Sequence, residues 1–194
     1  TWANLRGTVQ DHISSLNFGY RVKLREKGVT YLNKHGRFTD PHTLECTDSK
    51  GRKATVTAAR FIIATGGRPA PLACPGAELA ISSDDIFMKE EAPGKTCVVG
   101  AGYVALECAG FLTALKQGDV KVLVRSILLR GFDRDCVGYI ERFMKEHGTK
   151  FEEGELPKSI EKLPSGKLLV HYGDKSEEFD TVLAAIGRTP DLSG

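Results

Sequence analysis

The chain has 194 residues, 41% of them apolar and 27% charged, the balance of a soluble globular protein with room for one large domain or one compact domain plus part of another. A formal net charge of +2, with no dense basic tract beside aromatic residues, gives no footing for nucleic-acid binding. The longest apolar stretch, Ala101 to Leu115, is broken by Glu107 and is too short to cross a bilayer, and Thr1–Trp2 opens no secretory signal.

In chain order, Thr8 to Lys27 reads as an amphipathic helix, with Val9, Ile13, Leu16, Tyr20 and Leu24 on one face, Thr8 as its cap and Gly28 ending it. Val29 to Leu32, Gly36 to Phe38, Thr43 to Cys46 and Thr55 to Ala58 then read as short strands of an antiparallel meander. Phe61 to Ala64 is a buried-strand candidate, and a crossing rich in proline follows it. Ser83 caps a short helix over Asp84 to Phe87. From Lys95 the period alternates: strand Thr96 to Val99, helix Tyr103 to Leu115, strand Val120 to Val124, helix Asp133 to His147. The second helix should bury Cys136, Val137, Ile140, Phe143 and Met144. Strands over Lys158 to Glu161, Lys167 to Tyr172 and Phe179 to Ile186 complete an α/β unit with mainly parallel strands.

The cysteines Cys46, Cys74, Cys97, Cys108 and Cys136 are odd in number and contain no Cys-x-x-Cys pair. They read as core thiols of a reducing compartment rather than a disulfide scaffold.

The sharpest local signal is Val98-Val99-Gly100-Ala101-Gly102-Tyr103-Val104-Ala105, a glycine turn between an apolar strand and an apolar helix. Gly100 permits the tight turn, Gly102 clears space for a pyrophosphate, and Ala105 lets helix and strand approach. The unpaired N–H groups of the helix start suit that anion. At the end of the second strand, where an NAD site places a carboxylate, this chain has Arg125 and Ser126, followed by Arg130. Two guanidiniums and a hydroxyl suit the additional phosphate of NADPH. Glu107, alone among apolar neighbours, is assigned to the nicotinamide end or to pairing with a lysine from elsewhere in the protein. Tyr103 is placed to cover a flavin face.

With these residues the sequence resembles the pyridine-nucleotide–disulfide oxidoreductases. Within them it is most similar to the large thioredoxin reductases of animals and the thioredoxin–glutathione reductases, and it reads as an internal fragment. The matching stretches are Phe61 to Gly66, Ile81 to Phe87, Gly100 to Phe111, Val124 to Asp133 and Ala185 to Arg188. The resemblance implies a Rossmann-like NADPH-binding domain, about 93–188, inserted in a partial FAD-binding domain, 1–92, with residues 189–194 starting the return. It implies Ile186 and Gly187 along NADPH, and His35, Gly36, Ala64, Thr65 and Gly66 along FAD. The implied parent enzyme passes hydride from NADPH to FAD, then electrons to a protein disulfide and to thioredoxin or another disulfide substrate. It is a homodimer, cytoplasmic or with a mitochondrial form. The family's FAD glycine turn, its Cys-x-x-x-x-Cys disulfide and its His-Glu pair do not occur in this sequence, so the chain alone is expected to be inactive. Glutathione reductase, a related disulfide reductase, and an inactive free-standing nucleotide-binding module remain the alternatives.

Overall fold

The computed structural model describes residues 1–192. Helix α1 runs Trp2–Glu26, so Thr8 is not its cap. Thr1 takes that place, accepting from the Asn4 N–H at 3.4 Å, while Thr8 Oγ1 donates to the Asn4 carbonyl. No residue of α1 is fully buried; Trp2 packs against the core beside α2, while Leu16 and Tyr20 are well exposed. The helix ends as expected at Gly28, whose φ of 69° turns the chain so that the Val29 N–H reaches the Leu24 carbonyl.

The fold divides into two compact units, one formed by Thr1–Gln10 with Pro69–Thr189, the other by Asp11–Arg68 with the chain from Pro190. In the second, β1 (His35–Asp40), β2 (Thr43–Thr47) and β3 (Lys53–Thr57) form the antiparallel meander, in sequence order. The β2–β3 turn closes on Asp48, whose carboxylate accepts from the backbone of Lys50 and Arg52 and pairs with the Arg52 side chain. Two expected strands are not formed. Val29 to Leu32 is irregular, and Phe61 to Ala64 is likewise without regular structure, with Ile62 94% exposed. An apolar run becomes a strand only when a neighbour takes its backbone groups, and among the described residues none does.

Strand β4 (Gly67–Pro69) is where the chain passes from the second unit to the first, which continues with a single 3₁₀ turn over Ala77–Leu79 and a short strand β5 (Ile81–Ser82). The helix expected after Ser83 is only a 3₁₀ turn, Asp85–Phe87. Its start is held by Ser82, whose Oγ accepts from the Asp84 and Asp85 N–H groups while the Asp85 carboxylate accepts from Ser82. The centre is a parallel sheet. Strand β6 (Thr96–Val99) is followed by helix α2 (Tyr103–Leu115), β7 (Val120–Val124), helix α3 (Arg134–Glu146) and β8 (Lys150–Glu153). An antiparallel layer of β9 (Pro157–Lys162), β10 (Leu168–Tyr172) and β11 (Lys175–Phe179) precedes β12 (Thr181–Ala184), and β13 (Arg188–Pro190) closes the order. The parallel sheet runs β5-β12-β6-β7-β8, the antiparallel one β11-β10-β9, and β13 pairs with β4. This is a Rossmann-like α/β architecture with an antiparallel meander, the fold class expected.

The period-two alternation of β6 and β7 builds a core on each side of the sheet. Val98, Val122 and Val124 pack with Leu106, Ala109 and Leu112 of α2. Val99 and Leu123 pack with Ile160, Val170 and Phe179 of the antiparallel layer. The strand expected over Phe179 to Ile186 is broken at Asp180, which bonds to the backbone of Lys95 through both its N–H and its carboxylate. The highly charged β8 and β11 carry no apolar alternation and are strands because buried neighbours pair with them.

Only Val137 and Met144 of α3 are buried; Ile140 and Phe143 are exposed, as is Cys136, against expectation. Gly138 lies within this helix with no atom within 4 Å of an added Cβ. Gly138→Ala should therefore stabilise the chain by about 0.5–1 kcal/mol in urea unfolding, because alanine restricts the unfolded chain without meeting a neighbour.

Behind the sheet, Glu177 binds Lys121, Lys95 at 2.9 Å and the Tyr172 hydroxyl at 2.8 Å. Burial pushes its carboxyl up, but the hydrogen bonds from Lys121, Lys95 and Tyr172 outweigh burial and bring it down to about 2. A carboxyl depressed in the folded state contributes stability that is complete above its unfolded value of 4.5 and is lost as pH falls towards 2. With 26% of the side chain accessible and screened, that contribution is about 1–2 kcal/mol. Chemical denaturation at pH 7 should show Glu177→Gln less stable by that amount, and the gap should close between pH 4.5 and 2.

Candidate functional site

The turn from β6 to α2 is built at Gly100, which has a φ of 132° and whose Cβ position is filled by the Ala185 carbonyl. The bare backbone lets β6 and β12 end side by side, with the Ala185 N–H on the Val99 carbonyl at 2.8 Å and the Gly100 N–H on the Leu123 carbonyl at 3.1 Å. Gly102 differs. It caps α2 with φ −80° and ψ 174°, a conformation open to any residue, and an added Cβ meets no atom within 4 Å. The space it leaves belongs to a cavity rather than to packing. No side chain caps α2 and its first turn holds no acidic residue, so its leading N–H groups face that space with their partial positive charge uncompensated.

The cavity encloses about 840 Å³, in the range of cofactor sites. Gly100, Gly102 and Tyr103 line it from the turn, Arg125, Ser126 and Arg130 from the loop after β7, and Ile186 and Gly187 from the end of β12. The loop after β7 is held from below. Leu128 and Leu129 are buried, the Leu129 N–H reaches the Ala101 carbonyl at 2.8 Å, and Arg134 Nη1 reaches the Leu128 carbonyl at 2.9 Å. That anchoring lifts Arg125, Ser126 and Arg130 to the rim. Arg130 Nη2 donates to Ser126 Oγ at 2.8 Å, and among the described residues neither Arg125 nor Arg130 forms an ion pair. No lining residue is acidic. The cavity is therefore a cationic rim above a helix mouth, and its chemistry suits a polyanion.

Two of the residues expected along NADPH lie outside this lining. Ala105 is fully buried between α2 and the sheet, as the close approach requires. Glu107 is exposed, one turn beyond the exposed Tyr103 on the same helix face, so α2 is apolar on its core side only and the carboxylate is not buried. His35 and Gly36 on β1, and Ala64, Thr65 and Gly66 before β4, are exposed residues of the other unit. There the Thr65 hydroxyl donates to the Asp191 carbonyl at 2.5 Å, and the Asp191 N–H to the Gly66 carbonyl at 3.0 Å.

Sequence reasoning missed part of the wall: Leu72, Cys74, Ser83, Phe132, Pro157 and Arg188. Arg188 and Phe132 sit inside stretches already singled out, whereas Pro157 carries no local signal. Arg188 is paired with Asp84 at 3.0 Å. All five cysteines are free thiols; burial pushes Cys97 up to about 12 and Cys108 up to about 11, while Cys136 is exposed. Among the described residues no cluster could hold a metal ion, and no helix is long and apolar enough to cross a membrane.

Residues 2–194 match the family described as pyridine nucleotide-disulphide oxidoreductase. Thioredoxin reductase SEP1 of Emiliania huxleyi is 49% identical over 193 residues, covering 96% of this chain and 39% of its own length. Thioredoxin reductase of Plasmodium falciparum (isolate FCH-5) is 48% identical over 198 residues, covering all of this chain and 36% of its own. Among solved structures, HOCl-induced flavoprotein disulfide reductase RclA from Escherichia coli superposes with a TM-score of 0.82 at 19% identity, covering 95% of this chain and 43% of that one. A Cu(II) complex of a mutant of the same protein gives 0.83 at 20% identity, again over 95% of this chain and 43% of that one. The chain thus spans under two fifths of the length of these two reductases, 39% and 36%. A glycine turn under a cationic rim, a sheet that superposes on a flavoprotein reductase and a match along almost its whole length have one meaning: the chain belongs to the pyridine nucleotide-disulphide oxidoreductase family.

Proposed function

We propose that the cavity holds NADPH and that the chain is the nucleotide-binding segment of an FAD-dependent thioredoxin-disulfide reductase. The observation that carries this reading is the cavity's charge: Arg125, Arg130 and the helix mouth line one space that contains no carboxylate. In this reading the α2 N–H groups and Gly100–Gly102 take the pyrophosphate, and Arg125, Ser126 and Arg130 take the 2′-phosphate. Ala105 acts from beneath by bringing helix and strand together, and Ile186 and Gly187 form the opposite wall. Tyr103 and Glu107, on one exposed face of α2, orient the nicotinamide end and keep water from it.

Residues 93–188 then form the NADPH domain and 1–92 with 189–194 part of an FAD domain, with His35, Gly36, Ala64, Thr65 and Gly66 along the flavin. When bound, the cofactors supply hydride transfer from NADPH to FAD and onward reduction of a disulfide. The parent enzyme is a homodimer of the large thioredoxin reductase type, acting on thioredoxin in the cytoplasm, with a mitochondrial form. The two thioredoxin reductases at 49% and 48% identity support thioredoxin over glutathione as the acceptor system.

Incubating the chain with NADPH, FAD and the dye DTNB tests the assignment of roles. The expected result is no catalytic turnover and poor FAD retention; flavin-linked turnover would overturn the view that this segment binds without catalysing. In the complete enzyme, Glu107→Gln should slow flavin reduction in stopped flow, and an unchanged rate would remove Glu107 from the nicotinamide end. Stoichiometric DTNB labelling should modify exposed Cys136 first and Cys74, in the cavity wall, more slowly. NADPH should protect Cys74 and leave Cys136 unaffected.

A further inference from the structure

The strands of the parallel sheet all end at one edge, and the cavity runs along it. In sheet order, Pro157 follows β8, Arg125 and Ser126 follow β7, the Gly100–Gly102 turn follows β6, and Ile186 and Gly187 follow β12. All of these residues belong to the first unit. Arg125 and Arg130 therefore stand at the β7 end of the cavity. Past the glycine turn the only charged lining residue is Arg188, which is paired with Asp84 at 3.0 Å.

The composition of the β7 end decides which phosphates it accepts. An NAD site reads the ribose with a carboxylate that accepts from its hydroxyls. Here the lining, among the described residues, contains no Asp, Glu, Asn, Gln or His, and the Ser126 hydroxyl already accepts from Arg130. No side chain therefore registers which ribose hydroxyl is free and which is esterified. Arg125 and Arg130 are both exposed, and neither is fixed by an ion pair among the described residues. Their long side chains can follow a phosphate from one ribose carbon to the next, which a buried bidentate clamp would not allow. The helix mouth of α2 takes a pyrophosphate whatever group is attached beyond it.

We infer that the cavity also binds the 3′-phosphoadenosine 5′-diphosphate unit of coenzyme A, in competition with NADPH. The inference rests on the NADPH reading of this site and extends it to a second nucleotide class. NADPH carries its extra phosphate on the ribose 2′ oxygen and coenzyme A on the 3′ oxygen, and both have a pyrophosphate at the 5′ position. Arg125 and Arg130 take the 3′-phosphate, and the helix mouth beside Gly100–Gly102 takes the pyrophosphate. The pantetheine arm, a neutral chain of amides and methylenes, lies past the turn against Leu72 and Ile186, where the one charge is neutralised by Asp84. Coenzyme A has no dihydronicotinamide, so a cavity that holds it passes no hydride. Its occupancy is a brake on turnover, set by the ratio of coenzyme A to NADPH.

Isothermal titration of the full chain with coenzyme A and with dephospho-coenzyme A, which lacks only the 3′-phosphate, isolates the contact. Coenzyme A should bind about tenfold or more tighter, and the Arg125→Ala, Arg130→Ala double variant should erase the difference. Adenosine 3′,5′-bisphosphate should bind within about fivefold of adenosine 2′,5′-bisphosphate. NADPH should displace coenzyme A completely. If NADPH and adenosine 2′,5′-bisphosphate bind while coenzyme A does not, or binds no better than its dephospho form, the inference is overturned and the NADPH site stands. Coenzyme A that NADPH cannot displace lies elsewhere and overturns it as well. A chain that binds none of these nucleotides removes both readings.

Discussion

Replacing Arg125 and Arg130 together with alanine should weaken NADPH binding about 100-fold and leave NADH binding within about threefold of its starting value. Each guanidinium offers a charge-assisted bond to the 2′-phosphate, worth about 1–1.5 kcal/mol at an exposed rim, and the pair therefore about 2–3 kcal/mol. NADH lacks that phosphate and loses nothing. Arg130 is also braced by Ser126 at 2.8 Å, so Ser126→Ala should lower NADPH affinity by a smaller factor through loss of that orientation. Because the rim is exposed, the NADPH advantage should shrink as salt is raised from 0.05 to about 0.5 M. Isothermal titration of the parent chain and these two variants with both nucleotides checks these values. Equal losses for NADPH and NADH would move the arginines to the shared pyrophosphate.

The second large effect separates two glycines that look alike in sequence. Gly100→Val should unfold or severely destabilise the chain, because its Cβ meets the Ala185 carbonyl at a φ of 132°. The strained conformation and the overlap together cost about 2–5 kcal/mol, a large part of a domain's stability. Gly102→Val should fold with a Tm within about 2 °C of the parent chain, since its φ is ordinary and its Cβ enters open space. It should nevertheless lose nucleotide binding, because that space is where the pyrophosphate belongs. Thermal unfolding and NADPH titration on the two variants give opposite patterns. A Gly102→Val chain that binds NADPH normally would show that the cavity beside the turn is not the nucleotide site.

The α/β centre was the legible part of the fold. β6, α2 and β7 lie at the expected bounds, because strand and helix periods there are strong and buried on both sides. The cavity was legible through the glycine turn and through Arg125, Ser126 and Arg130, whose positions follow from the ends of two adjacent strands. Failures came where the pattern depends on a neighbour. Phe61 to Ala64 has the composition of a buried strand but no paired partner among the described residues. The charged β8 and β11 have partners without the composition. In α3 the apolar stripe is wider than the part the core covers, so periodicity alone assigned Ile140 and Phe143 inward. Wall residues such as Pro157 and Leu72 reach the cavity only through the tertiary arrangement of β9 and the segment after β4, which no local spacing records.

A crystal of the chain grown with NADPH tests the central claim most directly. The pyrophosphate should lie against Gly100–Gly102 at the mouth of α2, with the 2′-phosphate between Arg125 and Arg130. A nucleotide bound anywhere else, or one in this cavity with its 2′-phosphate turned away from both arginines, would contradict the account.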